Sequence, residues 1–153
     1  MKETSSTAQT PLVGDPGPYS AEVLVRFADC DPAGVVFYPR YLEMFNGLVE
    51  DWLRDSLGHS FQEIFARGWG LPTVHLNVDF VAPSGSGEVL SAVLSVKSVG
   101  TSSITLNIVL SGPEGNVRVR GEVVLVLTDA RENRPCAIPD DLRKRIEPFC
   151  VVQ

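Results

Sequence analysis

Phe27-Ala28-Asp29-Cys30-Asp31-Pro32-Ala33-Gly34-Val35-Val36-Phe37-Tyr38-Pro39-Arg40-Tyr41 is the stretch of this 153-residue chain on which the fold turns. Two carboxylates open a segment that Pro32 constrains and Gly34 loosens, because proline fixes one backbone angle and glycine reaches conformations closed to other residues. That combination describes a tight loop. Apolar residues then lead to Pro39, which suits the first turn of a helix. From Pro39 to Leu57 the residues Tyr41, Leu42, Phe45, Leu48, Val49, Trp52 and Leu53 recur every three or four positions, and Gly58 supplies a stop. The spacing predicts one long helix with a broad apolar face, buried at the centre of the domain.

Upstream, Glu22 to Phe27 alternates, with Val23, Val25 and Phe27 on one face and Glu22, Leu24 and Arg26 on the other, which predicts a strand. Residues 1–20 are rich in Ser, Thr, Pro and Gly and read as a flexible N-terminal extension. Downstream, a second, shorter helix is expected over Ser60 to Arg67, ending at Gly68. Four strands follow, at Thr73 to Val81, Gly87 to Val99, Ser102 to Leu110 and Val117 to Leu127. Their separators, Pro83-Ser84-Gly85-Ser86, Gly100-Thr101 and Gly112 to Asn116, are too short for parallel crossovers and predict antiparallel neighbours. A last helix is expected over Pro139 to Glu147, with residues 149–153 as a tail. The pattern implies an α+β domain over residues 21–148, in which a curved antiparallel sheet of about five strands wraps a long central helix. Such a sheet has edges to cover, and pairing across a dimer or tetramer is the expected means.

Composition narrows the function. Lys and Arg number 13 against 19 Asp and Glu, a net charge of -6, and the sequence pI is about 4.8. No basic stripe is present to meet a phosphate backbone, so nucleic acid is not an expected partner. Cys30, Cys136 and Cys150 form no Cys-x-x-Cys pair and cannot all pair with one another, which fits a reducing compartment. The first twenty residues lack the apolar stretch of a signal peptide, and the aliphatic run Val123 to Leu127 is far short of a membrane span. A cytoplasmic protein with no membrane partner is expected.

Two uses are open to the loop carboxylates. Asp29 and Asp31 can accept backbone N–H bonds and shape the turn. Alternatively, one of them can attack, or direct water at, a carbonyl whose oxygen rests against the free N–H groups opening the helix.

Asp29-Cys30-Asp31-Pro32-Ala33-Gly34, continued by Val35-Val36-Phe37-Tyr38-Pro39-Arg40-Tyr41, resembles the signature of the 4-hydroxybenzoyl-CoA thioesterase family, whose members have the hot-dog fold. Gly68 with Pro72, the segment Asn77 to Pro83, and Val89-Leu90 resemble the family's next two strands in order and spacing. The likeness covers about residues 21–148. It implies hydrolysis of an acyl-CoA thioester without metal or redox cofactor, coenzyme A being part of the substrate. It further implies that Asp31 is the catalytic carboxylate, as nucleophile through a mixed anhydride or as general base on water. The Tyr38 backbone N–H corresponds to the donor that polarises the thioester carbonyl. Asp29 reads as orienting the loop, by the usual preference of Asp for turns. A related subfamily carries its catalytic Glu on the central helix, which makes Glu43 and Glu50 secondary candidates.

Two departures stand out. Asn46 occupies the helix position at which members specific for 4-hydroxybenzoyl groups carry a carboxylate against the phenol. Asn hydrogen-bonds but brings no charge. The hairpin Val99-Gly100-Thr101-Ser102-Ser103 lacks the Arg/Lys cluster with which some members hold the CoA phosphates, leaving Arg118, Arg120 and Lys97 as candidates.

Thr73, His75, Asn77 and Asp79 alternate with Val74, Leu76, Val78 and Phe80, so Thr73 and His75 are read as sharing a polar face that lines the acyl pocket or an interface. Trp69, between Gly68 and Gly70, reads either as a lid on the acyl or pantetheine channel or as a residue packed at an interface. His59 is expected to be exposed. Cys30, beside two aspartates, is a poor nucleophile because negative neighbours disfavour its thiolate. The leading expectation is an acyl-CoA thioesterase preferring an aromatic acyl group such as benzoyl or hydroxybenzoyl. The alternatives are a thioesterase for short aliphatic acyl-CoA or acyl-carrier-protein esters, and a noncatalytic acyl-CoA-binding protein in which Asp31→Asn leaves function intact.

Overall fold

The structure is a computed structural model that describes residues 17–151. Most of the N-terminal extension, residues 1–16, lies outside that range. Its last residues, Tyr19 and Ser20, already belong to strand β1 (Tyr19–Leu24). Then come the long helix α1 (Tyr38–Asp55), the short helix α2 (Phe61–Ala66), and strands β2 (Trp69–Gly70), β3 (Thr73–Phe80), β4 (Val89–Val99), β5 (Ser103–Ser111) and β6 (Val117–Val126). Two-residue strands β7 (Thr128–Asp129) and β8 (Arg134–Pro135) precede helix α3 (Asp140–Ile146).

Five strands form one antiparallel sheet in the order β1-β4-β5-β6-β3, and β2-β7-β8 make a small second sheet. Alternation sets the packing. Leu90, Ala92, Leu94 and Val96 on β4, and Ile104, Leu106, Ile108 and Leu110 on β5, point inward with at most 1% exposure. Tyr41, Phe45, Leu48, Val49, Trp52 and Leu53 of α1 complete the core. The helix sits so close to the sheet that a Cβ on Gly121 would come within 2.4 Å of Phe45 Cε2. α2 begins as its sequence suggests, with Ser60 Oγ accepting the Glu63 N–H and Glu63 Oε2 accepting the Ser60 N–H.

Two expectations need correction. The strand alternation does not carry through Phe27. After Val25 the chain enters a 3-10 turn over Phe27–Asp29, and Phe27 is 87% exposed rather than on the core face. Nor are β3 and β4 neighbours. β3 pairs with β6 at one edge while β4 lies between β1 and β5, so residues 81–88 cross two strands. Eight residues span that distance easily, since strands lie about 4.8 Å apart and an extended chain gains about 3.3 Å per residue. Among the described residues, no helix is long and apolar enough to cross a membrane.

Candidate active site

The acidic loop is a miniature hairpin closed by backbone bonds. The Phe37 N–H donates to Asp29 O at 2.9 Å, the Asp31 N–H to Val35 O at 2.9 Å, and the Gly34 N–H to Asp31 O at 2.9 Å. Cys30 and Val36 form an antiparallel bridge between them. Gly34 closes the turn at φ 82°, a left-handed conformation that a side chain would strain. The two carboxylates differ in what they hold. Asp29 Oδ2 accepts the Arg26 N–H at 2.8 Å and so closes the 3-10 turn, a structural use. Asp31 Oδ1 accepts the Ala33 N–H at 2.8 Å. Among the described residues, no donor meets its second oxygen.

The hairpin delivers the chain into α1 at Tyr38. Four N–H groups at a helix start lack intrahelical partners. Here Pro39 has none to offer, and the Arg40 N–H donates to Phe37 O at 2.8 Å. Among the described residues, the Tyr38 N–H meets no acceptor. It is therefore a free donor at the positive end of an 18-residue helix. Around it, Phe37, Tyr38 and Phe80 form an edge-to-face chain with centroid distances of 5.4 and 6.0 Å, each ring about half exposed.

A cavity of about 210 Å³ opens farther along α1. Leu42, Phe45, Asn46 and Val49 form one wall, and Phe61, Leu71, Thr73, Leu76, Val123 and Leu125 the other. Asn46 and Thr73 are its polar groups. Thr73 and His75 do not share a face as the alternation suggested. A β-bulge between them places Thr73 opposite Leu125, on the helix side, and His75 opposite Val124, on the outer side with Asn77 and Asp79. His75 therefore stays out of the cavity.

Trp69 is also absent from the cavity lining. It borders a separate groove with Phe65, Arg67, Asp129 and Arg131, where the Arg67 guanidinium lies 5.5 Å over its ring. Of the helix carboxylates, Glu43 is held by Arg40 at 2.9 Å on the surface. Two of the three candidate phosphate cations are engaged: Lys97 pairs with Glu122 at 2.6 Å, and Arg118 with Glu88 at 2.8 Å. Arg120 stands opposite Asp79 on the outer face. His59 is 7% exposed, not free, and among the described residues its buried Nε2 has no partner. Burial, with smaller contributions from Arg67 and Arg145, holds its pKa below the ordinary histidine value. No periodicity could announce this, because Arg145, which donates to Leu57 O beside this turn at 2.9 Å, comes from a distant part of the chain.

Residues 25–146 match the family model of the thioesterase-like superfamily. A 1,4-dihydroxy-2-naphthoyl-CoA hydrolase of Synechocystis is 38% identical over 81 residues, 52% of this chain and 58% of that protein, so this match spans a little over half of the relative's length. A 4-hydroxybenzoyl-CoA thioesterase of a Pseudomonas species is 26% identical over 125 residues, 76% of this chain and 89% of that protein. Among solved structures, a 1,4-dihydroxy-2-naphthoyl-CoA thioesterase from Synechocystis superposes with a TM-score of 0.79 at 29% identity, covering 85% of this chain and 96% of the other.

Proposed function

The chain belongs to the thioesterase-like superfamily, and from that premise we propose that it hydrolyses the CoA thioester of an aromatic acid, with Asp31 as the reacting carboxylate and the Tyr38 N–H as the oxyanion donor. Acyl-CoA thioester hydrolysis is the activity of the family, and the fold is its hot-dog fold. The observation that carries the finer reading is the pairing, at one helix entrance, of a donor without an acceptor and a carboxylate with one uncommitted oxygen among the described residues.

In this reading the thioester carbonyl oxygen rests on the Tyr38 N–H, where a preorganised donor and the helix end stabilise the charge that develops as the carbonyl becomes tetrahedral. Asp31 then acts in one of two ways. As nucleophile, its free oxygen bonds to the carbonyl carbon, the C–S bond breaks, CoA leaves as thiolate, and water cleaves the resulting anhydride to regenerate the carboxylate. As general base, it takes a proton from water while the water oxygen attacks the carbonyl carbon; the C–S bond then breaks, CoA leaves as thiolate, and the carboxyl returns the proton.

Three features support an aromatic acyl group. The half-exposed rings of Phe37, Tyr38 and Phe80 surround the donor. A cavity of about 150 Å³ admits benzene, and the 210 Å³ space bearing Asn46 and Thr73 suits a substituted ring. The named relatives act on naphthoyl and hydroxybenzoyl esters. Tyr38 and Asn46 are eight residues apart, about 12 Å along the helix axis, farther than one ring spans. Edge strand β3 is exposed along nearly its whole length and leaves Val74, Leu76 and Phe80 uncovered. Antiparallel pairing of two β3 edges reverses one chain against the other and closes that gap, which favours a homo-oligomer.

The experiment is thiol release from benzoyl-, hydroxybenzoyl-, hydroxynaphthoyl- and hexanoyl-CoA by wild type and Asp31→Asn. The expected result is an aromatic preference, with a loss of about 100-fold or more in the variant. Preference for the hexanoyl ester would overturn the aromatic assignment, and undiminished turnover by Asp31→Asn would overturn the role of the carboxylate.

A further inference from the structure

The side-chain polar contacts of Arg118 all lead to one loop. Its side chain is only 11% exposed. Nη1 donates to Pro83 O at 2.7 Å and to Ser84 Oγ at 3.1 Å. Nη2 meets Glu88 Oε2 at 2.8 Å, and Glu88 Oε1 accepts the Gly85 N–H at 2.7 Å. One guanidinium therefore fixes both ends of the segment 83–88, with a planar fork whose donors point in set directions. Space for it comes from Gly112, where a Cβ would stand 2.5 Å from Nη2.

That segment is the bed of the acidic hairpin. Ser84, 1% exposed, accepts the Val36 N–H on its carbonyl at 2.9 Å. Val35 and Gly85 form an antiparallel bridge. Val35 O in turn accepts the Asp31 N–H. The route from Arg118 to Asp31 thus runs through Ser84 and the Val35–Val36 backbone, each step a direct hydrogen bond or a bonded neighbour.

We infer that Arg118 is a positioning residue for the reaction: seated over Gly112 and neutralised by Glu88, its guanidinium sets the 83–88 loop at the height that aims the Asp31 carboxylate at the substrate carbonyl. It touches no substrate. Its reach to Pro83, Ser84 and Glu88 also removes it from the residues able to hold CoA phosphates.

The inference rests on Asp31 as the reacting carboxylate, and its test separates the two. kcat and KM are measured for Arg118→Gln, Arg118→Lys and Gly112→Ala, with thermal midpoints, and for Arg118→Gln combined with Asp31→Asn at high enzyme concentration. Misplacement of reacting groups by about 1 Å costs on the order of 100-fold. Arg118→Gln should therefore lose about 10- to 100-fold in kcat with KM changed less than about threefold. Arg118→Lys should recover part of the loss, and Gly112→Ala, which displaces the guanidinium without removing it, should lose activity in the same way. Where Asp31 is already Asn, Arg118→Gln should cost nothing further. Lowered thermal midpoints with wild-type kcat in the folded variants would overturn the inference, and so would an equal fold-loss with and without Asp31. Full activity of Asp31→Asn alone would instead sink the reading on which it rests.

Discussion

The two ends of α1 are finished in opposite ways. At the C-terminal end the Ser56 and Leu57 N–H groups donate to Trp52 O, the His59 N–H to Leu53 O, and Arg145 Nη1 to Leu57 O at 2.9 Å. Trp52 and Leu57 there have no exposed surface. At the N-terminal end the Tyr38 N–H has no acceptor among the described residues, the rings about it are half exposed, and the polar effort goes into fixing the loop in front of it. Satisfied backbone groups at one end hold the helix in the sheet. The unsatisfied group at the other end is available to a substrate, and a binding site needs such a vacancy. Changes at the sealed end should accordingly cost stability, and changes at the open end should cost turnover or selectivity.

The largest stability effect belongs to the sealed end. Trp52→Ala should lose about 3–5 kcal/mol by cavity formation, read as a lower urea midpoint, while the fraction still folded keeps its KM. Gly121→Ala, under the middle of the helix, should cost about 1–3 kcal/mol, because Phe45 is 3% exposed and has little room to yield. A variant as stable as wild type would show that helix and sheet are less tightly apposed than the 2.4 Å approach requires.

Asn46→Asp sharpens the comparison from the open side. Hydrogen bonds to charged groups exceed neutral ones by about 1 kcal/mol, so the ratio of hydroxybenzoyl-CoA to benzoyl-CoA turnover should rise about fivefold with an unchanged thermal midpoint. An unaltered ratio would remove Asn46 from the acyl site.

The smallest effect is titration at the sealed end. Burial holds the His59 pKa below its ordinary value of 6.5, so the unfolded chain takes up that proton before the folded one. Stability should be complete above that value and fall as the pH drops through it toward the folded-state pKa. Between about pH 7 and about pH 5, His59→Gln should lack this decline in urea midpoint. An identical slope in both proteins would contradict the burial of this ring.

The elements that could be read from sequence are those fixed by local chemistry. The period of Tyr41 to Leu53 marked α1, the stop at Gly68 bounded α2, and the turn separators bounded the four long strands. The acidic motif carried the family resemblance that implies the roles of Asp31 and Tyr38. What escaped depends on contacts between distant segments. The bulge after Thr73 is a register event between β3 and β6, and it alone divides Thr73 from His75. The placement of β3 against β6 is a choice of partner that β3 does not encode by itself. Arg118 reads as a free cation until Pro83, Ser84 and Glu88 are seen around it.

The most direct test removes the free donor while leaving the helix in place. Proline suits the first helical position, and Phe37, at φ -68° and ψ 124°, already has the backbone that a following proline requires. Tyr38→Pro should therefore keep the wild-type thermal midpoint and lose about 100- to 1000-fold in kcat, while Tyr38→Phe stays within a few-fold of wild type. Wild-type kcat in a folded Tyr38→Pro protein would contradict the account at its centre, because hydrolysis would then proceed without the donor at the open end of α1.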